Sequence, residues 1–471
     1  MKATKSGELK HRQLTLWDYL QKDTQEEESY AEVCVSPRMA ETDTTNTSKQ
    51  EGGLLEKILS PENMNRAYKQ VKRNKGAGGV DGMTVDELGP WTREHRDELL
   101  KSLRDGSYRP QPVRRVEIPK ENGKTRKLGI PTVIDRMVQQ AVSQVLSPIY
   151  EEQFSESSYG FRPGRSAHDA LRQCQRNITD GYEYVVDMDL EKYFDTVNQS
   201  KLVQVLSETI KDGRVISLIH KFLRAGVMDG GVFEESPEGV PQGGPLSPLF
   251  GNIMLNECDH ELERRRHRFV RYADDLMIFS KSRKAAQRTL KSIIPYIEGK
   301  LFLTVNREKT KVAEIRDVRF LGYGFYIYQG EGRLKVHPKS AKKLKDRLRE
   351  VTGRSNGLSV EKRRAKLNYI IRGWVNYFKL ADMKKLMETL DQWLRRRLRM
   401  VTWKRWKKAR TRYANLKKAG IPDWQAWQWA YTRLGYWRVA GRWILTRAMP
   451  NEVFKKAGYL SLKELYLAAH V

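Results

Sequence analysis

Two adjacent carboxylates set between apolar runs constrain this chain more than any other feature. Residues 268–280 read Arg-Phe-Val-Arg-Tyr-Ala-Asp-Asp-Leu-Met-Ile-Phe-Ser. The flanks predict two short strands, with Asp274 and Asp275 at the turn between them. Asp suits a tight turn because its short side chain bonds nearby backbone. Two like charges on neighbouring residues repel unless water or a cation compensates. Hard oxygen ligands beside a phosphate-bearing substrate suit Mg²⁺. Two such ions can activate an attacking hydroxyl and stabilise a leaving pyrophosphate. A solvated turn is the commoner use of an Asp-Asp pair, so the rest of the chain has to decide.

Charge narrows the choice. The 471 residues carry a formal net charge of +29 and a sequence pI near 9.8. That excess points to a polyanion, nucleic acid before a membrane surface. No apolar run reaches the roughly 18 residues a membrane span needs, and the amino terminus lacks the apolar core of a secretory signal. Cys34, Cys174 and Cys258 are the three cysteines, too few and too scattered for a disulfide framework or a cysteine-rich zinc module. A reducing interior is the expected home, the bacterial cytoplasm with nucleoid association when DNA is bound. The length predicts two to four domains.

Residues 1–50 read as a flexible extension. Between 21 and 50, seven acidic residues stand against three basic ones, opposite in sign to the whole. A helix is predicted over 61–73, with Ser60 as its cap ahead of Pro61. The glycine-rich stretch Asn74 to Gly82 follows, a plain loop or a close approach to phosphate. Val113–Ile118 and Thr125–Ile130 predict a hairpin about Glu121-Asn122-Gly123. Arg114, Lys120 and Arg126 converge on one face of this ribbon in a form suited to a triphosphate, although a solvated basic hairpin has the same pattern. After a helix from Asp135 to about Gln153 comes Ser-Tyr-Gly-Phe-Arg-Pro-Gly-Arg-Ser, residues 158–166, whose Arg162 and Arg165 could hold a nucleic-acid backbone. Tyr184–Met188 predicts a strand ending at Asp189, with Tyr193-Phe194 one turn later. Gly239–Pro248 is a stiff turn carrying Gln242 into an apolar helix, Leu249 to about Leu262. A further helix is predicted over Ala285–Lys300.

In this order, an Asp-x-x-x-x-Phe strand end, Val-Pro-Gln-Gly and Arg-Tyr-Ala-Asp-Asp resemble the fingers and palm of reverse transcriptases. The blocks Ile-Pro-Lys…Arg-Lys-Leu-Gly-Ile-Pro and Tyr-Gly-Phe-Arg-Pro-Gly-Arg-Ser are similar to those of group II intron reverse transcriptase/maturases, and the resemblance runs from about 54 to 471. It implies an α+β right-hand polymerase fold, fingers and palm with antiparallel sheet, then an α-helical thumb bundle and a small carboxy-terminal DNA-binding segment. The implied boundaries are 51–330, 331–402 and 403–471, with no endonuclease domain. It implies that Asp189, Asp274 and Asp275 hold two Mg²⁺ ions. Lys120 and Arg126 would contact the triphosphate of a deoxynucleotide, with Arg114 near its base. Phe194 would exclude a ribose 2′-hydroxyl, Gln242 would line the pocket, and the Gly76–Gly82 loop, with Lys75 and Gly79, would meet the template.

From Arg333 to Lys418 the chain holds 29 Lys/Arg against six Asp/Glu, an excess of 23 positive charges. Apolar residues at helical spacing (Leu344, Leu348, Val351; Leu367, Ile370, Ile371, Trp374; Leu386, Leu390, Trp393, Leu394) predict a small helical bundle with a basic exterior. Arg395, Arg396, Arg397, Lys404 and Lys407 are its candidate nucleic-acid contacts. Asn376, Tyr377 and Phe378, in a stretch resembling the maturase domain, are expected to pack. Most of the tryptophans after 402 are expected in a small core.

The implied activity is RNA-directed DNA synthesis, copying a group II intron by target-primed reverse transcription, together with maturase assistance to splicing. Intron RNA, target DNA with its primer, and deoxynucleoside triphosphates are the implied partners, with no membrane and an open oligomeric state. Two rival readings are an RNA-binding splicing factor with an idle polymerase site and a reverse transcriptase recruited to defence or spacer acquisition.

Overall fold

The computed structural model describes residues 53–119 and 125–470. The expected extension 1–50, Lys120 and the Glu121-Asn122-Gly123 turn lie outside the described residues. The chain divides into two compact units, one within Met1–Gln173 and Tyr182–Ala313, the other within Cys174–Gly181 and Glu314–Val471.

In the first unit, local sequence signals set the element ends. Ser60 caps the helix Pro61–Asn74 by accepting from Asn63 N. Thr132 caps Val133–Glu151 by accepting from Asp135 N at 3.1 Å, so this helix starts two residues before the predicted Asp135. The expected ribbon is present. β1 (Val113–Pro119) and β2 (Thr125–Ile130) are antiparallel, with Arg114 opposite Ile130 and Ile118 opposite Arg126. β3 is Tyr184–Met188, as predicted. β4 (Val227–Asp229) and β5 (Val232–Glu234) extend the ribbon into a four-stranded sheet of order β2-β1-β4-β5. β6 (Arg268–Tyr272) and β7 (Asp275–Ser280) form the predicted hairpin, and β8 (Lys311–Glu314) completes a second sheet of order β6-β7-β3-β8. The helices Ser247–Arg264 and Arg283–Lys300 have apolar residues in the same buried core as β3, β6 and β7, among them Ile253, Met254, Ile293 and Ile297. That core fixes the sheet that carries the carboxylates.

In the second unit, β9 (Arg319–Phe320), β10 (Tyr323–Tyr328) and β11 (Glu331–Val336) form an antiparallel sheet. Tyr323 packs on Phe378 with ring centroids 5.0 Å apart. These strands therefore go with the helices that follow, in the compact unit that takes in Glu314–Val471. The predicted bundle consists of helices Pro338–Val351, Val360–Phe378 and Lys384–Arg405. Leu344, Leu348, Val351, Leu367, Ile370, Ile371, Leu390 and Leu394 are buried, whereas Trp374, Leu386 and Trp393 are only partly so. Phe378 is buried as expected, but Asn376 and Tyr377 are exposed.

The tryptophan expectation fails over most of the carboxy-terminal part. Trp403 is buried, but Trp424, Trp427 and Trp443 are 66%, 60% and 48% exposed. The helices there are five to ten residues long. Small and aliphatic side chains (Ala426, Ala430, Val439, Ala440, Ile444 and Leu445) fill their interior. So small an interior has no room for most of the indoles.

Candidate active site

Backbone register brings the distant carboxylate to the hairpin. β3 pairs antiparallel with β7, Met188 opposite Leu276 and Asp187 opposite Met277. Asp189 follows Met188 directly, and Asp275 directly precedes Leu276, so the register carries both strands toward the same end of the sheet. Asp274 and Asp275 are exposed and Asp189 is half-buried. Asp189 is also held from behind. Its N donates to Thr310 Oγ1 at 3.1 Å, and its carbonyl accepts from Asn306 N at 2.9 Å. Asp187 lies one step deeper. Burial raises its pKa, the Lys311 ammonium opposes that shift, and the Asp189 charge adds to it.

The side chains do not yet match the expectation of one shared ligand set. Asp189 Oδ2 accepts from Lys309 Nζ at 2.8 Å, and among the described residues no three His, Cys, Asp or Glu side chains converge as metal ligands. The donor chemistry nevertheless suits Mg²⁺, since all three groups are hard oxygens with a solvent-reachable face. Lys309 and Thr310 were missed in the sequence. Only the fold shows that the Asn306–Thr310 turn backs Asp189.

A second group gathers beside β3. Arg126 Nε donates to Gln242 Oε1 at 2.8 Å, and Gln242 Nε2 donates weakly to Asp195 Oδ1 at 3.5 Å. The turn bearing Gln242 is bonded on both sides: Gly129 N donates to Gln242 O at 2.7 Å, and Val240 N to Phe194 O at 2.6 Å. Phe194 is half-buried. A Cβ at Gly251 would stand 3.1 Å from its ring, so glycine there makes room for it. Arg114 stands on the same face of the ribbon as Ile118 and hence as Arg126. Of the expected nucleotide contacts, Arg126, Phe194 and Gln242 are thus brought together, Arg114 shares their ribbon, and Lys120 is outside the described residues.

Arg136 is a further residue the sequence did not single out. It donates to Ala77 O at 2.6 Å and so supports the 76–82 loop. Burial lowers its pKa, Asp81 opposes the shift, and Arg114 adds to it, which puts two guanidinium groups in one field.

Beneath the hairpin tip lies a polar network that sequence reasoning overlooked. Arg271 is wholly buried. Its guanidinium grips Asp259, with Nε donating at 2.8 Å and 2.9 Å, and Nη1 donates to Ala273 O at 3.0 Å and to Asn252 Oδ1 at 2.9 Å. Asn252 Nδ2 in turn donates to Gly160 O at 2.8 Å. Ala273 sits in the left-handed region at φ +57°, and Arg271 binds its carbonyl. Asp259 at a helix position facing the core was the available signal, because a buried carboxylate demands a partner.

Several expected nucleic-acid contacts have partners within the chain. Arg162 is buried, paired with Glu151 at 2.8 Å and donating to Ser158 O at 2.9 Å, so it serves its own loop. Arg165 is turned onto Glu156. Arg395 is buried and donates to Leu460 O at 2.9 Å. Arg396 lies over the Trp437 ring at 3.9 Å, and Arg397 ties Arg349 O and Thr352 O, each at 2.9 Å. Lys404 donates to Arg354 O at 2.9 Å. Each of these cations meets a carbonyl, a carboxylate or a ring, although Arg395 Nη1 and Arg396 Nε are buried without a hydrogen-bond partner. Gly79 is also buried, and a Cβ there would meet Thr132 backbone at 2.6 Å, a packing role. Lys75 and Lys407 are exposed.

Two family descriptions match successive parts of the chain. The family described as "Reverse transcriptase (RNA-dependent DNA polymerase)" matches residues 118–325, and "Group II intron, maturase-specific domain" matches 341–420. Protein YkfC of Escherichia coli (strain K12) is 37% identical over 327 residues, 61% of this chain and 86% of YkfC. Group II intron-encoded protein LtrA of Lactococcus lactis subsp. cremoris is 31% identical over 377 residues, and the match spans 66% of this chain and 62% of LtrA. Among solved structures, the "Partial Cas6-RT-Cas1--Cas2 complex" is 25% identical over 53% of this chain and 43% of that chain, at a TM-score of 0.36. With a reverse transcriptase region followed by a maturase region, and most of YkfC's length covered, the chain belongs to the family of group II intron-encoded reverse transcriptase/maturases.

Proposed function

We propose that this chain is an RNA-directed DNA polymerase that copies group II intron RNA from a DNA primer, and a maturase that binds the same RNA to aid its splicing. The observation that supports this reading is the β3–β7 register, which ends at Met188 opposite Leu276, one residue short of Asp189 and of the Asp274-Asp275 pair; the bond from Arg126 to Gln242 adds to it. Asp189, Asp274 and Asp275 would hold two Mg²⁺ ions, which when bound lower the barrier to attack by a 3′ hydroxyl and stabilise the departing pyrophosphate. The protein's own side chains position the reactants. Arg126 offers a planar fork to the triphosphate, Gln242 holds that fork in place, and the Phe194 ring closes the space a 2′-hydroxyl would need. Residues 331–402 and 403–471 would serve as thumb and DNA-binding segment.

Primer extension on an RNA template with Mg²⁺ tests this reading. The parent chain should make DNA, and the D274N/D275N double variant should make none while keeping RNA affinity within about twofold, since neither residue is part of the basic surface. Extension by the double variant, or none by the parent, overturns the assignment, and the second outcome leaves an RNA-binding splicing factor.

A further inference from the structure

The acidic tip has two flanks. On one stands β3, with Asp189 at its end and Phe194 and Gln242 beyond. On the other, β6 is the edge strand, and residues 157–159 run along its open side: Arg271 N donates to Ser157 O at 2.9 Å and Tyr159 N to Arg271 O at 2.9 Å. Gly160 follows and lies flat against the tip, so close that a Cβ would stand 2.3 Å from Ala273 N. The next residue is Phe161.

Phe161 is 59% exposed at a left-handed φ of +57°. Bulky residues rarely adopt that conformation, and it persists only where the surroundings impose it. Both neighbours are fixed here. Gly160 O accepts from Asn252 Nδ2, and Arg162 is buried on Glu151 and on the carbonyls of Ser155 and Ser158. The loop therefore holds a mostly exposed aromatic ring next to the tip.

Resting on the polymerase reading, we propose that Phe161 stacks on the nucleotide carrying the primer 3′ hydroxyl. The incoming nucleotide belongs on the β3 flank, where the third carboxylate, Arg126 and Phe194 stand. The strand whose 3′ hydroxyl must reach Asp274 and Asp275 is left the β6 flank, and Phe161 is a large exposed apolar side chain there. Stacking on an aromatic face is tolerant of base identity, which suits an enzyme that must hold every primer end in turn. Phe161 is thus a positioning residue for the reaction.

Primer extension with F161A, F161G and F161Y tests the proposal. F161A should raise the KM for the primer–template about tenfold and leave the KM for deoxynucleotide and the melting temperature unchanged. F161G relaxes the backbone, so it should be at least as stable as the parent and as defective as F161A. F161Y should extend normally. A photoreactive phenylalanine analogue at 161 should crosslink to the primer at or next to its 3′ end. The proposal is overturned if F161A and F161G extend like the parent, if their loss follows a lower melting temperature, or if crosslinks reach protein or distant duplex alone. A parent chain that extends no primer refutes the polymerase reading instead, so the two failures are distinguishable.

Discussion

Phe194 and Arg271 sit in different surroundings, the first half-buried and the second wholly buried. Phe194 is half-buried in a space that Gly251 leaves open, and its ring is backed by Tyr193 at 5.1 Å between centroids. On the proposed polymerase reading, a backed ring cannot retreat from a 2′-hydroxyl. F194A should therefore increase ribonucleotide incorporation relative to deoxynucleotide by about tenfold or more, read from competing extension reactions. Arg271 never meets substrate. It is buried with Asp259 and fastens the carbonyl of Ala273, the residue before Asp274. R271M leaves a buried carboxylate without its partner and should cost about 3–5 kcal/mol in urea unfolding. R271M/D259L removes both charges and should be less destabilised than R271M. Its DNA synthesis should stay low, because the turn has lost its clamp. Equal destabilisation of single and double variants would argue that the pair is not coupled.

The hairpin and the Ser158–Arg162 loop work as one element. Each is a poor structure alone, since a two-residue tip with a left-handed Ala and adjacent carboxylates carries strain and repulsion. Together they share the bridge between Ser158 and Arg271 and the contact of Gly160 with Ala273. G160A forces a methyl group into backbone at 2.3 Å, which no side-chain motion relieves. Its expected effect is a fall in kcat for DNA synthesis of about tenfold or more with RNA affinity unchanged, a displacement of roughly 1 Å in a reacting group being costly to rate. Unimpaired extension by G160A would show that the loop does not set the tip.

Across the whole molecule the dominant quantity is charge. The excess of 23 positive charges between Arg333 and Lys418 lies in helices whose apolar faces are buried, so many cations remain outside. RNA affinity should fall by about 10³-fold or more between roughly 50 and 200 mM salt, measured by equilibrium binding. A nearly flat response would exclude phosphate contacts as the main attraction. Sequence by itself determined the strands that bear Asp189, Asp274 and Asp275, the capped helices, the basic bundle and the family, because apolar period, caps and motif order are local properties of a chain. Tertiary structure alone decided which cations are free. Arg162, Arg395 and Arg397 look like phosphate ligands in a list of residues, and only folding shows that each donates to carbonyls from elsewhere in the chain. It also decided that Arg271 lies under the tip, that Lys309 meets Asp189, and that Trp424 and Trp427 face solvent. The physical reason is that pairing and burial depend on what arrives from far along the chain, and no local pattern carries that information.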